Sequence, residues 1–209
     1  FNSFVSYPLL FGRYYFTNHF RDQSPGFHVK LINESMKNRF FAVHAPRSSA
    51  KSTVLTFLRT MHGIVFKRNR FIVIVQNTYE KACDSLTSIK MEVKHNWQLK
   101  NDFVIMVQKD TEGDTVFRHR NGFETRVLCK GAEQIGSLRG VKFGAYRPDL
   151  IIIDDVEDDE MVKSHERRIF LKSLYDEALI PCGDPQTVCV LAIGTILHDD
   201  SLLAKLLSK

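Results

Sequence analysis

Lys51, Ser52 and Thr53 close the stretch HAPRSSAKST at positions 44–53, and a lysine followed by two hydroxyl residues at the mouth of a helix suits phosphate binding. In the phosphate loop G-x-x-x-x-G-K-[ST], glycines let backbone N–H groups turn toward phosphate oxygens, the Lys reaches the terminal phosphates and the hydroxyl meets Mg²⁺. Ala45 and Ala50 stand at the two glycine positions, so the charged end is intact and the conformationally permissive positions are not. The plainer alternative is a helix start with Ser48 or Ser49 as its N-cap. LIIIDD at 150–155 weighs against it, because it ends an apolar strand in two carboxylates. Asp154 falls where an aspartate reaches Mg²⁺ beside Ser52, directly or through water, and Asp155 follows where an attacking water needs a base. The implied chemistry is phosphoryl transfer to water. Ser48, Ser49, Ala50, Lys51, Ser52 and Thr53 would surround the phosphates of ATP, with Ser52 and Asp154 as the Mg²⁺ ligands. Asp154, Asp155, Glu157, Asp158, Asp159 and Glu160 form one dense acidic run, which has a two-metal nuclease or helix capping as its other readings. A two-metal site gathers carboxylates from separate elements, whereas these are contiguous. Asp158 to Glu160 therefore read as capping residues of the next helix.

These side chains need a frame that brings residues about 100 positions apart to one edge, and the sequence supplies alternating strands and helices. FFAVHA at 40–45 reads as a strand, the loop follows, and TVLTFLRTMHGIVFK repeats its apolar residues at helical spacing. FIVIVQN at 71–77 is a strand buried on both faces, followed by a helix over 78–97. At 115–128, VFRHR and FETRVL flank Asn121-Gly122, the signal of a tight hairpin inserted in the sheet. LIIID at 150–154 and TVCVLAIG at 187–194 are two further buried strands, each leading into a helix, over about 160–179 and 199–208. Residues 131–149 read as loop. The fold class predicted is α/β: a mostly parallel central sheet flanked by helices, a P-loop NTPase of the ASCE type with an inserted β-hairpin.

A chain of 209 residues fits one sizeable domain, and 44% hydrophobic with 25% charged residues is ordinary for a globular protein. No apolar run approaches the roughly 18 residues of a membrane span. The start, FNSFVSYPLLFGRYYF, has neither an initiator Met nor a signal-peptide layout, which reads as an excised cytosolic domain. The four cysteines make no CxxC pair and the eight histidines are scattered, so reduced structural thiols are expected. The net charge of +5 favours an acidic partner. Lys67-Arg68-Asn69-Arg70, the Arg118, Arg120, Arg126 and Lys130 group, and Arg139, Lys142 and Arg147 would suit DNA phosphates or form ordinary solvated faces.

Four segments in order, PRSSAKST, QIGSLRG at 134–140, RPDLIIIDDVEDDE at 147–160 and AIGTILHDDSLLAKLL at 192–207, resemble the ATPase domain of the large terminase subunit of tailed bacteriophages. The resemblance covers roughly residues 27–207. It implies a Mg²⁺-dependent ATPase that drives double-stranded viral DNA into a procapsid. The implied partners are that DNA, further copies of the chain in a homo-oligomeric ring on a portal protein, and the small terminase subunit, with no membrane. The implied location is the host cytoplasm, transiently docked on the procapsid. Residues 1–209 would form a single ATPase domain, with 1–39 an adenine-side segment and 40–209 the P-loop core, lacking the C-terminal nuclease domain of the family. Arg47 and Lys51 would grip phosphate. The acid after the Walker-B aspartate is a Glu in most relatives and Asp155 here, which leaves open whether Asp155 or Glu157 is the base. Gly194-Thr195 matches the coupling motif, with capping of the next helix as the structural alternative for Thr195. Phe27-His28 falls where the family packs an aromatic near adenine, or is simply core. Arg139 lies where relatives reach into the neighbouring subunit, or is a surface Arg paired with a carboxylate. Two rivals share part of this pattern: a helicase-type nucleic-acid-dependent ATPase, and a non-hydrolysing nucleotide switch or DNA-binding scaffold.

Overall fold

Runs of β-branched residues place the centre of the sheet. In the computed structural model, which describes residues 2–21 and 24–208, strands β2 (Phe71–Gln76) and β6 (Leu150–Asp154) are buried at every position but Gln76. Their side chains alternate between two cores: Ile72, Ile74, Leu150 and Ile152 pack on one face, and Phe71, Val73, Val75, Ile151 and Ile153 on the other. Phe1, Asp22, Gln23 and Lys209, which fall within the predicted domain, lie outside the described residues.

With β1 (Phe40–His44), β3 (Ile105–Asp110), β4 (Asp114–His119), β5 (Glu124–Gly131) and β7 (Cys189–Gly194), they form a seven-stranded sheet in the order β1-β7-β6-β2-β5-β4-β3. The pairs from β1 through to β5 are parallel, and β4 and β3 add an antiparallel edge. The strand leading into the phosphate loop and the strand bearing Asp154 are thus separated by β7, the additional strand expected of the ASCE arrangement. The predicted hairpin is present, and it extends the sheet: β5 pairs with β2 on one side and β4 on the other. Its turn carries positive φ at Gly122 alone, and Gly122 N bonds His119 O at 2.9 Å, so it is not the two-residue type I′ turn that would need positive φ at Asn121 as well.

The first core face is covered by α1 (Asn2–Ser6), α2 (Pro8–Tyr15), α3 (Gly26–Lys37), the helix after the phosphate loop and α5 (Tyr79–His95). That post-loop helix is π-helical over Thr53–Leu58 and α-helical over Arg59–Val65 (α4), and ends where Lys67 takes φ +56°. The helix predicted over 78–97 breaks at Asn96, which caps α6 (Trp97–Asp102) by accepting from Leu99 N. The other face carries a 3₁₀ helix (Ala132–Leu138) inside the predicted loop region. It also carries α7 (Asp159–Lys163), α8 (His165–Leu174), which runs into a π-helical turn (Tyr175–Leu179), the short α9 (Ile180–Cys182), and α10 (Leu202–Leu207). The helix predicted over 160–179 is interrupted because Ser164 is extended and caps α8 through Arg167 N. All four cysteines are free thiols.

Candidate active site

The strand register delivers the chemistry to one edge. His44 is level with Gly194, Ile193 with Asp154, and Asp154 with Gln76, so the loops after β1, β7, β6 and β2 all leave from the same carboxyl end of the parallel sheet. Open α/β sheets bind ligands there.

The phosphate loop folds without glycine at a cost. Ser48 has φ +63° and Ala50 φ +55°, the left-handed region that a Cβ disfavours by roughly 1–2 kcal/mol. Ala50 therefore adopts the conformation that glycine would have given the loop, while Ala45 does not. Asp155 is the third such residue at the site, with φ +44°. Backbone strain concentrated on residues from two different loops is the signature of a site whose geometry is imposed by the fold.

Lys51 and Ser52, the first residues after the loop, meet the carboxylates at the end of β6 and just beyond it. Ser52 Oγ donates to Asp154 Oδ1 at 2.9 Å, and the Lys51 ammonium lies 3.1 Å from Asp155 Oδ2. Asp154 is wholly buried and also accepts from Thr56 Oγ1 at 2.7 Å and from Gln76 Nε2 at 3.1 Å. Burial is the main influence on its carboxyl, raising its pKa above the ordinary value, with the Thr56 and Ser52 hydrogen bonds opposing. Thr56 and Gln76 belong to the site and were not singled out from sequence. Thr56 is one helical turn from Ser52, and Gln76 is the polar residue ending an otherwise apolar strand, so both carried a readable signal.

The rest of the acidic run divides. Asp158 caps α7 by accepting from Met161 N at 2.6 Å and is held by Asn77 Nδ2 at 2.8 Å, as its capping reading expects. Glu157 points away, accepting from Leu202 N at 2.9 Å and Leu203 N at 3.4 Å at the start of α10. Asp159 pairs with Arg47 at 3.2 Å, both side chains exposed. Thr195 caps no helix, since Ser201 caps α10. Instead its hydroxyl donates to Ala45 O at 3.2 Å, beside the backbone bond from Ala45 N to Gly194 O. The end of β7 is thereby fastened to the start of the phosphate loop, and Asp155 N bonds Ile193 O at 2.9 Å on its other side. Arg139 stands outside this cluster, 3.6 Å from exposed Glu177 rather than from the acidic run.

A cavity of about 530 Å³ opens beside the loop, walled by His19, Phe20, Phe27, His28, Pro46 and Arg47 among others. Phe27 is exposed and meets the His28 ring edge-on at 4.4 Å, while His19 stacks on Phe57 of the post-loop helix at 4.1 Å. The proposed DNA surface is less coherent. Arg126 is committed to the fold, donating to both Asp114 oxygens at 2.9 and 2.8 Å, and Arg118 sits 3.6 Å from Glu124.

No protein-family model and no curated protein sequence matches the chain. Among solved structures it is similar to the large terminase ATPase domain of Thermus phage P74-26, in a point mutant and in a second structure. TM-scores are 0.62 and 0.61 at 17% identity, over 86% of this chain and 68% and 67% of those chains. It is also similar to the HK97 bacteriophage large terminase, with a TM-score of 0.57 at 13% identity, over 88% of this chain and 36% of that one. The fold is that of a large terminase ATPase domain. The elements bearing Lys51, Ser52, Asp154 and Asp155 are thus part of a terminase-type frame, and the resemblance drawn from the four motifs is matched by the architecture.

Among the described residues no helix is long and apolar enough to cross a membrane, and no group of three or more His, Cys, Asp or Glu side chains is placed to hold a metal. The hard oxygens of Ser52 and Asp154 still fit Mg²⁺, which in nucleotide sites takes one or two protein ligands and completes its shell with water and phosphate oxygens.

Proposed function

We propose that this chain is the motor ATPase of a large terminase, hydrolysing ATP with Mg²⁺ to drive double-stranded DNA into a procapsid. The observation that carries the reading is the meeting of Lys51 with Asp155 and of Ser52 with Asp154 at the carboxyl edge of a terminase-type sheet. Ser48 to Thr53 would wrap the phosphates, with Lys51 and Arg47 offsetting their charge. Ser52 and Asp154 would hold the ion, directly or through water, with the hydrogen bond from Ser52 Oγ to Asp154 keeping the two oxygens side by side. Mg²⁺, when bound, neutralises charge that develops on the β- and γ-phosphate oxygens.

Asp155 is the base in this reading. It is half exposed at the mouth of the site, whereas both oxygens of Glu157 are occupied by backbone N–H groups of another helix. On phosphate binding Lys51 would exchange Asp155 for the ligand, leaving that carboxylate free to take a proton from water. Thr195, tied to Ala45, would pass the state of the loop to β7. Residues 1–39 would serve the adenine side through the cavity at Phe27, with 40–209 as the P-loop core. Arg139 would act on the site of the next subunit. A homo-oligomeric ring on a portal protein, the small terminase subunit, a nuclease domain elsewhere in the full-length protein and a site of action on the procapsid in the host cytoplasm belong to the same proposal. The test is calorimetry of Mg-ATP binding with Lys51→Ala. Loss of binding is expected, and an unchanged affinity would return residues 44–53 to a capped helix.

A further inference from the structure

His28 belongs to none of the phosphate-binding or carboxylate motifs. The residue is 5% exposed, and Nε2 lies 2.8 Å from the carbonyl oxygen of Ser49. A carbonyl can only accept, so Nε2 carries a ring proton and donates it to Ser49 O. Nδ1 and Ser49 Oγ are both buried and neither bonds a protein group, so Nε2 makes the hydrogen bond that ties the ring to the loop.

The position of the contact gives it meaning. Ser49 lies between Ser48 and Ala50, the two loop residues held at positive φ. Among the described residues, the His28 bond is the one side-chain hydrogen bond received by the backbone of residues 46–50. A glycine loop enters this shape unaided; a loop of serine and alanine needs something outside it to hold the arch.

We propose that His28 is a positioning residue for the phosphate loop, its Nε2–H fixing the Ser49 carbonyl and with it the left-handed residues on either side. The amides of the loop are then arrayed before nucleotide arrives. The inference rests on the phosphate-binding reading of residues 44–53 and adds to it a residue from the N-terminal segment. It predicts that His28 acts on the phosphates and not on the base.

Calorimetric binding of ATP and of inorganic tripolyphosphate, each with Mg²⁺, tests this on the whole chain. His28→Phe keeps a ring without a donor and should weaken both ligands by a similar factor, about tenfold for one lost hydrogen bond. His28→Gln, whose amide reaches the same carbonyl, should stay within about threefold of the parent, and the shorter His28→Asn should behave like His28→Phe. Adding Ala50→Gly to His28→Phe should recover part of the loss, because glycine takes positive φ without support. A loss confined to ATP would make His28 a base contact and overturn the proposal. Equal affinities for the Gln and Asn variants would overturn it as well, and that comparison decides even if the Phe variant does not fold. A parent chain that binds neither ligand would bring down the phosphate-loop reading itself, a result distinct from either.

Discussion

Lys51 and Asp155 form an ion pair across the two loops of the site, with the ammonium 3.1 Å from Oδ2, the lysine side chain 6% exposed and the aspartate 50% exposed. The lysine is fixed by burial and the carboxylate faces solvent, so the aspartate is the partner free to leave. In the proposed function an incoming phosphate would compete with Asp155 for the same cation.

That competition separates the two candidate bases. Asp155→Asn should bind ATP at least as tightly as the parent, since a competing anion is removed, and turn over about 10²–10⁴-fold more slowly for want of a positioned base. Glu157→Gln should leave turnover within severalfold and instead lower unfolding stability by roughly 1 kcal/mol, through weaker charge-assisted bonds at the start of α10. Phosphate-release kinetics and urea unfolding on both variants check this. The opposite assignment of the two effects would make Glu157 the base.

Ala50 at φ +55° is strained in a way that glycine is not. Relief of about 1–2 kcal/mol of left-handed strain, less the roughly 0.5–1 kcal/mol that glycine loses in chain entropy, leaves Ala50→Gly more stable by up to about 1.5 kcal/mol. Chemical denaturation measures it. A less stable variant would mean that the left-handed conformation at Ala50 carries no strain.

What could be read from sequence was whatever one segment decides alone. FIVIVQ and LIIID announce doubly buried strands because every position before the last is apolar, and KST and DD announce the site because their chemistry is local. That a strand stands between β1 and β6 is part of the ASCE reading, but that it is β7 was not legible, because parallel strands choose partners distant in sequence, and neither was the continuation of the hairpin into the parallel sheet through β5. β3 went unread between two stronger signals. The helix over 160–179 was read too long, since its apolar spacing runs through Ser164 while the backbone breaks there to form a cap. The commitment of Glu157 to α10 follows from a contact 45 residues away, which no local pattern expresses.

His62 gives the stability a definite slope with acid. It is fully buried between Phe11 and Phe66, and burial, reinforced by Arg68 and Arg59, pushes its pKa down to about 3 from the usual 6.5. Between those values the unfolded chain binds a proton that the native state refuses, so stability falls as pH drops below about 6.5, by at most about 1.4 kcal/mol per unit from this group. His62→Phe should flatten that part of the profile in urea titrations from pH 7 to pH 4. An unchanged slope would place the acid sensitivity elsewhere.

Arg139 follows the 3₁₀ helix, is 60% exposed, and is paired only at 3.6 Å with the equally exposed Glu177, an arrangement worth little to the fold. Gly140 beside it takes φ +74°. Charge spread over a departing γ-phosphoryl group can be stabilised by an arginine from outside the pocket, with rate effects of about 10³–10⁵. In its own chain Arg139 stands apart from Lys51, Asp154 and Asp155, so a catalytic role requires a neighbouring subunit. Arg139→Ala should therefore fold and bind ATP like the parent but fail to hydrolyse it in assembled rings. Mixed with Asp155→Asn protein it should recover activity, because some interfaces then join an intact Asp155 from one chain to an intact Arg139 from the next. A surface ion pair with Glu177 makes no such demand: if mixtures whose assembly is verified by light scattering stay as inactive as their components, Arg139 does not act in trans.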